Sequence, residues 1–188
     1  MGPLAIVLLV LLGILVLLVL WAIGIYNGLV RLRNEVKNAW AQIDVQLKRR
    51  HDLIPNLVET VKGYAGHEKS TLEAVVQARS QAVAAKGVEQ QARAEHALSG
   101  ALGRLMLLVE QYPDLKANQN FLALQEELTS TENRISFARQ YFNDTTMQFN
   151  TRQETFPHNI IAGMFGFQRG AFFELEDEAQ RAVPKVQF

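Results

Sequence analysis

Four histidines, His51, His67, His96 and His158, are the residues of this chain best suited to hold a metal or move a proton near neutral pH. Their spacing does not gather them. His67-Glu68 would need a carboxylate from another helix to complete a metal site, and neither an HExxH run nor a Glu-x-x-His pair is present. They read as solvated or capping side chains. Glu126, Glu127 and Glu132 beside Arg134 and Arg139 form a second cluster, in which paired carboxylates would suggest acid and base catalysis. Their i,i+3 and i,i+4 spacing fits ion pairs along one helix flank better. The chain has no cysteine, which removes disulfides, thiol nucleophiles, iron-sulfur ligation and most structural zinc sites. Glycine-rich phosphate loops and a GxSxG elbow are absent too. The expectation is a protein without enzymatic activity, metal or cofactor, and with no evident small-molecule substrate.

Two surfaces have a better case for function. The basic run Lys48-Arg49-Arg50 suits acidic partners or neighbouring protomers, against a plain solvated face. The aromatic residues Phe165, Phe167, Phe172 and Phe173 either plug the end of a helical bundle or form an apolar contact for a partner or a second copy. Glycines at 163, 166 and 170 fit both readings, since both need a chain that bends.

These candidates are positioned by an apolar N-terminal segment. From Leu4 to Ile25 the chain carries no charge, and as a helix it would measure ~33 Å, enough to cross the hydrocarbon of a bilayer. Trp21 and Tyr26 fall where amphipathic rings favour the water interface, and Arg31, Arg33 and Lys37 follow. Side-chain positive charge lies only after the span, so the positive-inside rule places the N-terminus outside and residues beyond about 28 in the cytoplasm. A cleaved signal peptide ending near Ala22 or Gly24 is the weaker alternative, because the run is long and lacks a basic leader. A buried core helix is weaker still. Arg31, Arg33 and Lys37 can reach lipid headgroups; Lys48, ~35 Å along a straight helix from the membrane edge, lies several Debye lengths away.

Beyond the span, apolar residues at Leu29, Leu32, Val36, Trp40, Ile43, Leu47, Ile54, Val58 and Val61 mark one stripe of a long helix. It is expected to kink at Pro55, with a fresh helix from about Asp52 as the alternative. A second helix is expected over about 69–85, with Leu72, Val75, Val76 and Val83 inward and Gly87 closing it. A third is expected over about 88–111, stopped by Tyr112-Pro113-Asp114. The fourth has a heptad seam, Phe121, Leu124, Leu128, Ile135, Ala138, Phe142 and Phe149, with Thr131 and Thr145 in its gaps. A short segment, 159–165, follows Pro157, and then come Glu174, Glu176, Asp177 and Glu178, with residues from Val183 expected to fray. Short connections predict an all-α, antiparallel up-and-down bundle continuous with the span. The expected organisation is an anchor over 1–27, a cytoplasmic bundle over 28–153 and a C-terminal piece over 154–188. The 19 basic and 19 acidic residues cancel, so nucleic acid is not an expected partner.

Long ordered strings carry a resemblance. Tyr26-Asn-Gly-Leu-Val30, Ala39-Trp40, Ile43-Asp44-Val45-Gln46-Leu47-Lys48-Arg49-Arg50, Asp52-Leu53-Ile54-Pro55-Asn56-Leu57-Val58, Val61-Lys62-Gly63-Tyr64-Ala65, Tyr112-Pro113-Asp114-Leu115-Lys116-Ala117 and Thr131-Glu132-Asn133-Arg134-Ile135 resemble the signature of the LemA family. The resemblance implies a bacterial inner-membrane protein with its N-terminus outside and a cytoplasmic helical bundle. It implies no enzyme class. Members linked to magnetosome membranes or encoded beside a membrane metalloprotease suggest a membrane-organising role by association only. The expected function is therefore a membrane-anchored interaction or scaffold protein whose partners are the bilayer and either further copies of itself or another membrane protein. The alternative is a regulatory adaptor for a membrane protease or envelope-stress system.

Overall fold

In the computed structural model, which describes residues 2–173, every regular element is a helix. The acidic group Glu174, Glu176, Asp177 and Glu178, and the end expected to fray from Val183, lie outside the described residues. Helix α1 spans Pro3–Lys62 and passes through Pro55 without a break. That excludes a fresh helix at Asp52. The apolar stripe keeps its phase on both sides of the proline: Leu47, Ile54, Leu57, Val58 and Val61 are all buried. Up to Trp21 the large side chains of α1 are exposed, and this stretch is long and apolar enough to cross a membrane.

Helices α2, Lys69–Ala84, and α3, Val88–Val109, form a hairpin. The buried stripe of α2 is Leu72, Val75, Ala78 and Ala82. Val76 and Val83, expected inward, are exposed. The alanines occupy the seam because α3 comes close enough for the Gln91 side chain to bond the Ala82 carbonyl at 3.1 Å, an approach that a bulkier residue would hinder. Gly87 does not close α2. It takes φ 78° as the residue before α3, a left-handed value that glycine adopts without a Cβ clash.

The third helix ends at Val109, short of the expected 111, and Tyr112 is the residue before a four-residue helix, α4, Pro113–Lys116, which buries Leu115. Asn118 then opens helix α5, Gln119–Glu154, where its Oδ1 accepts the Phe121 N–H at 3.1 Å as an N-cap. The α5 seam matches its heptad: Phe121, Leu128, Thr131, Ile135, Phe142, Thr145 and Phe149 are buried. The two threonines sit on the seam because each returns its hydroxyl to the carbonyl four residues back, Glu127 and Tyr141, at 2.8 Å. Helix α6, His158–Met164, is the last element among the described residues.

The chain divides into two compact units whose bounds differ from the expected 1–27, 28–153 and 154–188. Among the described residues one, the anchor unit, takes 2–41 with Tyr141–Gly170; the other, the bundle unit, takes Gln42–Gln140 and 171–173. Helices α1 and α5 each contribute to both. The bundle unit packs Ile54, Leu57, Val61, Val75, Leu98, Leu105, Leu115 and Phe121 into one core. Within it, Arg49 pairs with Glu127 and Tyr64 bonds Asn118, so α1 and α5 run antiparallel.

Candidate functional site

The bundle unit carries charge in its interior. Arg50, His51 and Glu95 are only 5%, 7% and 6% exposed. Arg50 reaches from α1 to both oxygens available to its fork: Nη1 lies 3.2 Å from Glu95 Oε2 and 3.1 Å from Glu132 Oε2, and Nη2 donates to Ser99 Oγ at 2.8 Å. His51 donates through Nε2 to Glu95 Oε1 at 2.7 Å, since a carboxylate oxygen can only accept. Gln91 donates to the same oxygen at 3.0 Å. Arg79 of α2 donates to the His51 carbonyl at 2.6 Å. All four long helices of this unit thus meet at one polar layer.

What this layer can do chemically follows from its saturation. Glu95 already accepts from Arg50 at one oxygen and from His51 and Gln91 at the other, so its charge is committed to these three donors. The adjoining cavity, lined by Arg50, Glu95, Ser99, Glu132, Arg139 and Phe173 among others, holds only about 60 Å³. That admits water and nothing of metabolite size. Among the described residues no three His, Asp or Glu side chains stand together as metal ligands. The layer fixes helix register, because each ion is satisfied in only one alignment.

Several expected contact residues are therefore redirected. Arg50 is buried in the layer and is not part of a solvated basic patch; of the triplet, Lys48 stays exposed and Arg49 is spent on Glu127. His51 is likewise a core residue, not a solvated one. Glu127 and Glu132 pair across helices with Arg49 and Arg50 instead of along α5. The sequence held a signal for this: on α1 the stripe passes from Leu47 to Ile54 with a gap that only 50 or 51 can fill, and on α3 the spacing 91, 95, 98, 102, 105, 109 puts Gln91 and Glu95 on the seam.

The aromatic candidates separate. In the bundle unit Phe173 is 2% exposed with the Arg139 guanidinium 5.0 Å over its ring, so it is not a free contact, while Phe172 stays at the surface. In the anchor unit Phe165 and Phe167 meet Tyr26, with ring centroids 4.7 Å and 5.8 Å away, and the Arg33 guanidinium stands 5.3 Å over Phe167. Tyr26 and Arg33 of the interface candidates and Phe165 and Phe167 of the aromatic ones thus form one group. Trp21 and Arg31 remain exposed.

The segment carrying these rings is held at three points. Ile161 and Ala162 bury against Ala22, Ile25, Tyr26 and Leu29. Phe167 stacks edge-on to Phe149. Asn150 clamps Gly170, accepting its N–H at 2.8 Å and donating to its carbonyl at 2.9 Å.

Residues 39–188 match the family model described as the LemA family. The chain belongs to the LemA family. Among similar proteins, the Protein LemA of Metamycoplasma hominis is 29% identical over 157 residues, covering 82% of this chain and 71% of that protein. The Magnetosome protein MamQ of Magnetospirillum gryphiswaldense is 26% identical over 174 residues, covering 79% and 64%. Magnetosome protein MamQ 2 of Paramagnetospirillum magneticum is 26% identical over 175 residues with the same shares. This LemA-family chain therefore matches just under two thirds of the magnetosome proteins' length. Its apolar helix and these relatives point to a membrane-associated protein; neither family nor relatives name an enzyme.

Proposed function

We propose that this LemA-family protein is a membrane-anchored, non-enzymatic interaction or scaffold protein of the bacterial inner membrane that associates with copies of itself. The observation that carries the reading is a contrast within α1. Its residues up to Trp21 expose almost every large apolar side chain, while Arg50 and His51 further along are locked into a saturated core. The first part needs lipid as solvent; the second builds a rigid body, not a reaction centre. Positive side chains that follow the span, Arg31, Arg33 and Lys37, support an external N-terminus and a cytoplasmic bundle. Exposed apolar side chains on the bundle unit, Val45, Val76, Val83, Leu107 and Phe137, supply contact area. Anchoring also raises the effective concentration of copies confined to one surface.

Crosslinking of the full chain in native membranes tests this. Bands at multiples of the monomer mass are expected. Monomers alone, without partner bands, overturn the reading, and a single foreign partner without self-crosslinks replaces it with the adaptor role.

A further inference from the structure

Residues 155–168 hold no Asp, Glu, Lys or Arg, the longest such run after the span. Within it, Phe156, Ile160, Met164 and Phe165 are 79%, 52%, 73% and 60% exposed. Ile160 and Met164, four residues apart, share one face of α6, and Phe156 is exposed in the turn that leads into it. A short helix facing water would turn polar residues outward. This one turns its largest apolar residues outward.

The opposite face of α6 fixes its height along α1. Ile161 and Ala162 pack on Ala22, Ile25, Tyr26 and Leu29, and Ala22 and Ile25 belong to the uncharged run Leu4–Ile25. Ala22 to Leu29 covers only ~10 Å of helix rise, which straddles the boundary between acyl chains and headgroups when the run crosses a bilayer.

Beside α6 runs a groove of about 390 Å³ lined by Trp21, Gly24, Ile25, Gly28, Arg152, Pro157 and His158. Gly24 and Gly28 leave that flank of α1 without side chains. A second groove, sharing Gly28 and Arg152, adds Arg31. Among the described residues neither Arg31 nor Arg152 has an ion-pair partner, and His158 Nδ1 is enclosed without a hydrogen bond. Glu35 also lines the second groove but forms no ion pair with either arginine, so both cations are left to match the phosphates of a lipid surface.

We propose that residues 156–165 are a second membrane contact: a foot that inserts Phe156, Ile160, Met164 and Phe165 into the bilayer interface beside the span, with Arg31 and Arg152 at the headgroup phosphates. The lipid leaflet is the occupant of this apolar face. The foot gives the anchor unit two points of contact with the membrane, so the unit resists rotation about the α1 axis. It rests on the reading that the apolar part of α1 crosses the bilayer.

Because the chain has no cysteine, single substitutions accept a fluorescent label without background. Full-length Ile160→Cys, Met164→Cys, Phe137→Cys and Leu15→Cys are labelled and placed in phosphatidylcholine–phosphatidylglycerol nanodiscs carrying nitroxide lipids, shallow or deep. The foot predicts that labels at 160 and 164 are quenched by shallow nitroxide several-fold more than at 137, and are protected from iodide. Leu15 should respond to deep nitroxide. Labels at 160 and 164 that behave like 137 while Leu15 responds to lipid overturn the foot and leave the anchor intact. A Leu15 label quenched by iodide and not by lipid overturns the anchor, and the foot with it.

Discussion

In the bundle unit charge is placed inside: Arg50, His51 and Glu95 are buried and bonded to one another. In the anchor unit the segment around α6 carries no charge at all, and it is held by ring contacts of Tyr26 with Phe165 and Phe167 and of Phe149 with Phe167, with one amide clamp, Asn150 on Gly170. The same two helices, α1 and α5, supply both environments. The difference lies in what surrounds each unit. Burying ions is costly, and a water-facing bundle tolerates it where the return is a unique alignment of four helices. Where the proposed foot meets lipid, unpaired polarity is costlier outside than in, which fits outward residues of Phe, Ile and Met.

The largest expected effect breaks the polar layer. Glu95→Ala removes the acceptor shared by Arg50, His51 and Gln91 and leaves a buried guanidinium with only the half-exposed Glu132 and Ser99. A loss of about 3–5 kcal/mol is expected in denaturant unfolding followed by helical circular dichroism. Arg50→Ala combined with Glu95→Ala should cost clearly less than the two losses summed, since each removes the other's unpaired charge. Strict additivity would show that the layer is not a coupled network.

Next in size is the apolar contact of the anchor unit. Ile161→Ala deletes the side chain that α6 buries against Ile25 and Leu29, a change worth about 2–4 kcal/mol at a core site. The contrast with Glu95 is in how the damage spreads. Ile161→Ala should raise amide hydrogen exchange over 156–165 while exchange in α2 and α3 stays as in the wild type, because a short peripheral helix opens locally. Equal loss of protection in α2 and α3 would show that the two units unfold together.

How much of this was legible in the chain differs between the regions for physical reasons. The α5 seam and the α1 stripe could be read through Pro55 because burial on a helix repeats at a fixed period whatever the neighbours are. The polar layer was legible only by extrapolating that period onto charged residues; Arg50 looks like a member of a basic run until the gap between Leu47 and Ile54 is counted. Val76 and Val83 misled because in α2 the seam is set by close approach, which selects alanine over larger residues. The meeting of Tyr26 with Phe165 and Phe167 could not be read from spacing, since more than a hundred residues separate them and the contact depends on how the chain after α5 folds back.

A smaller effect is expected at the amide clamp. Asn150→Ala leaves the Gly170 N–H and carbonyl without their two bonds, a loss of about 1–3 kcal/mol. The neighbouring Arg169, paired with Glu154 at 3.0 Å, is a tryptic site. Trypsin should cut after Arg169 several-fold faster in Asn150→Ala than in the wild type, with cutting after Arg79 or Arg104 unchanged. Unchanged cutting after Arg169 would mean that the ring contacts of Phe167 hold the segment without the clamp.

The smallest effect concerns His158. Loss of solvation, with repulsion from Arg152 second, holds its pKa below the ordinary 6.5. The folded protein therefore binds this proton less readily than the unfolded chain, and stability rises with pH across the window just beneath 6.5. Working downward, the contribution is fully present above the unfolded value and is lost as pH falls toward the folded one. Melting followed between about pH 7.5 and about pH 5.5 should fall less steeply for His158→Gln than for the wild type. This measurement also sharpens the contrast between the units. His51 is the more enclosed of the two and bonds Glu95, whereas His158 lies beside the cation Arg152. A wild-type slope retained in His158→Gln would assign the acid sensitivity to other groups and leave the groove beside α6 electrically silent.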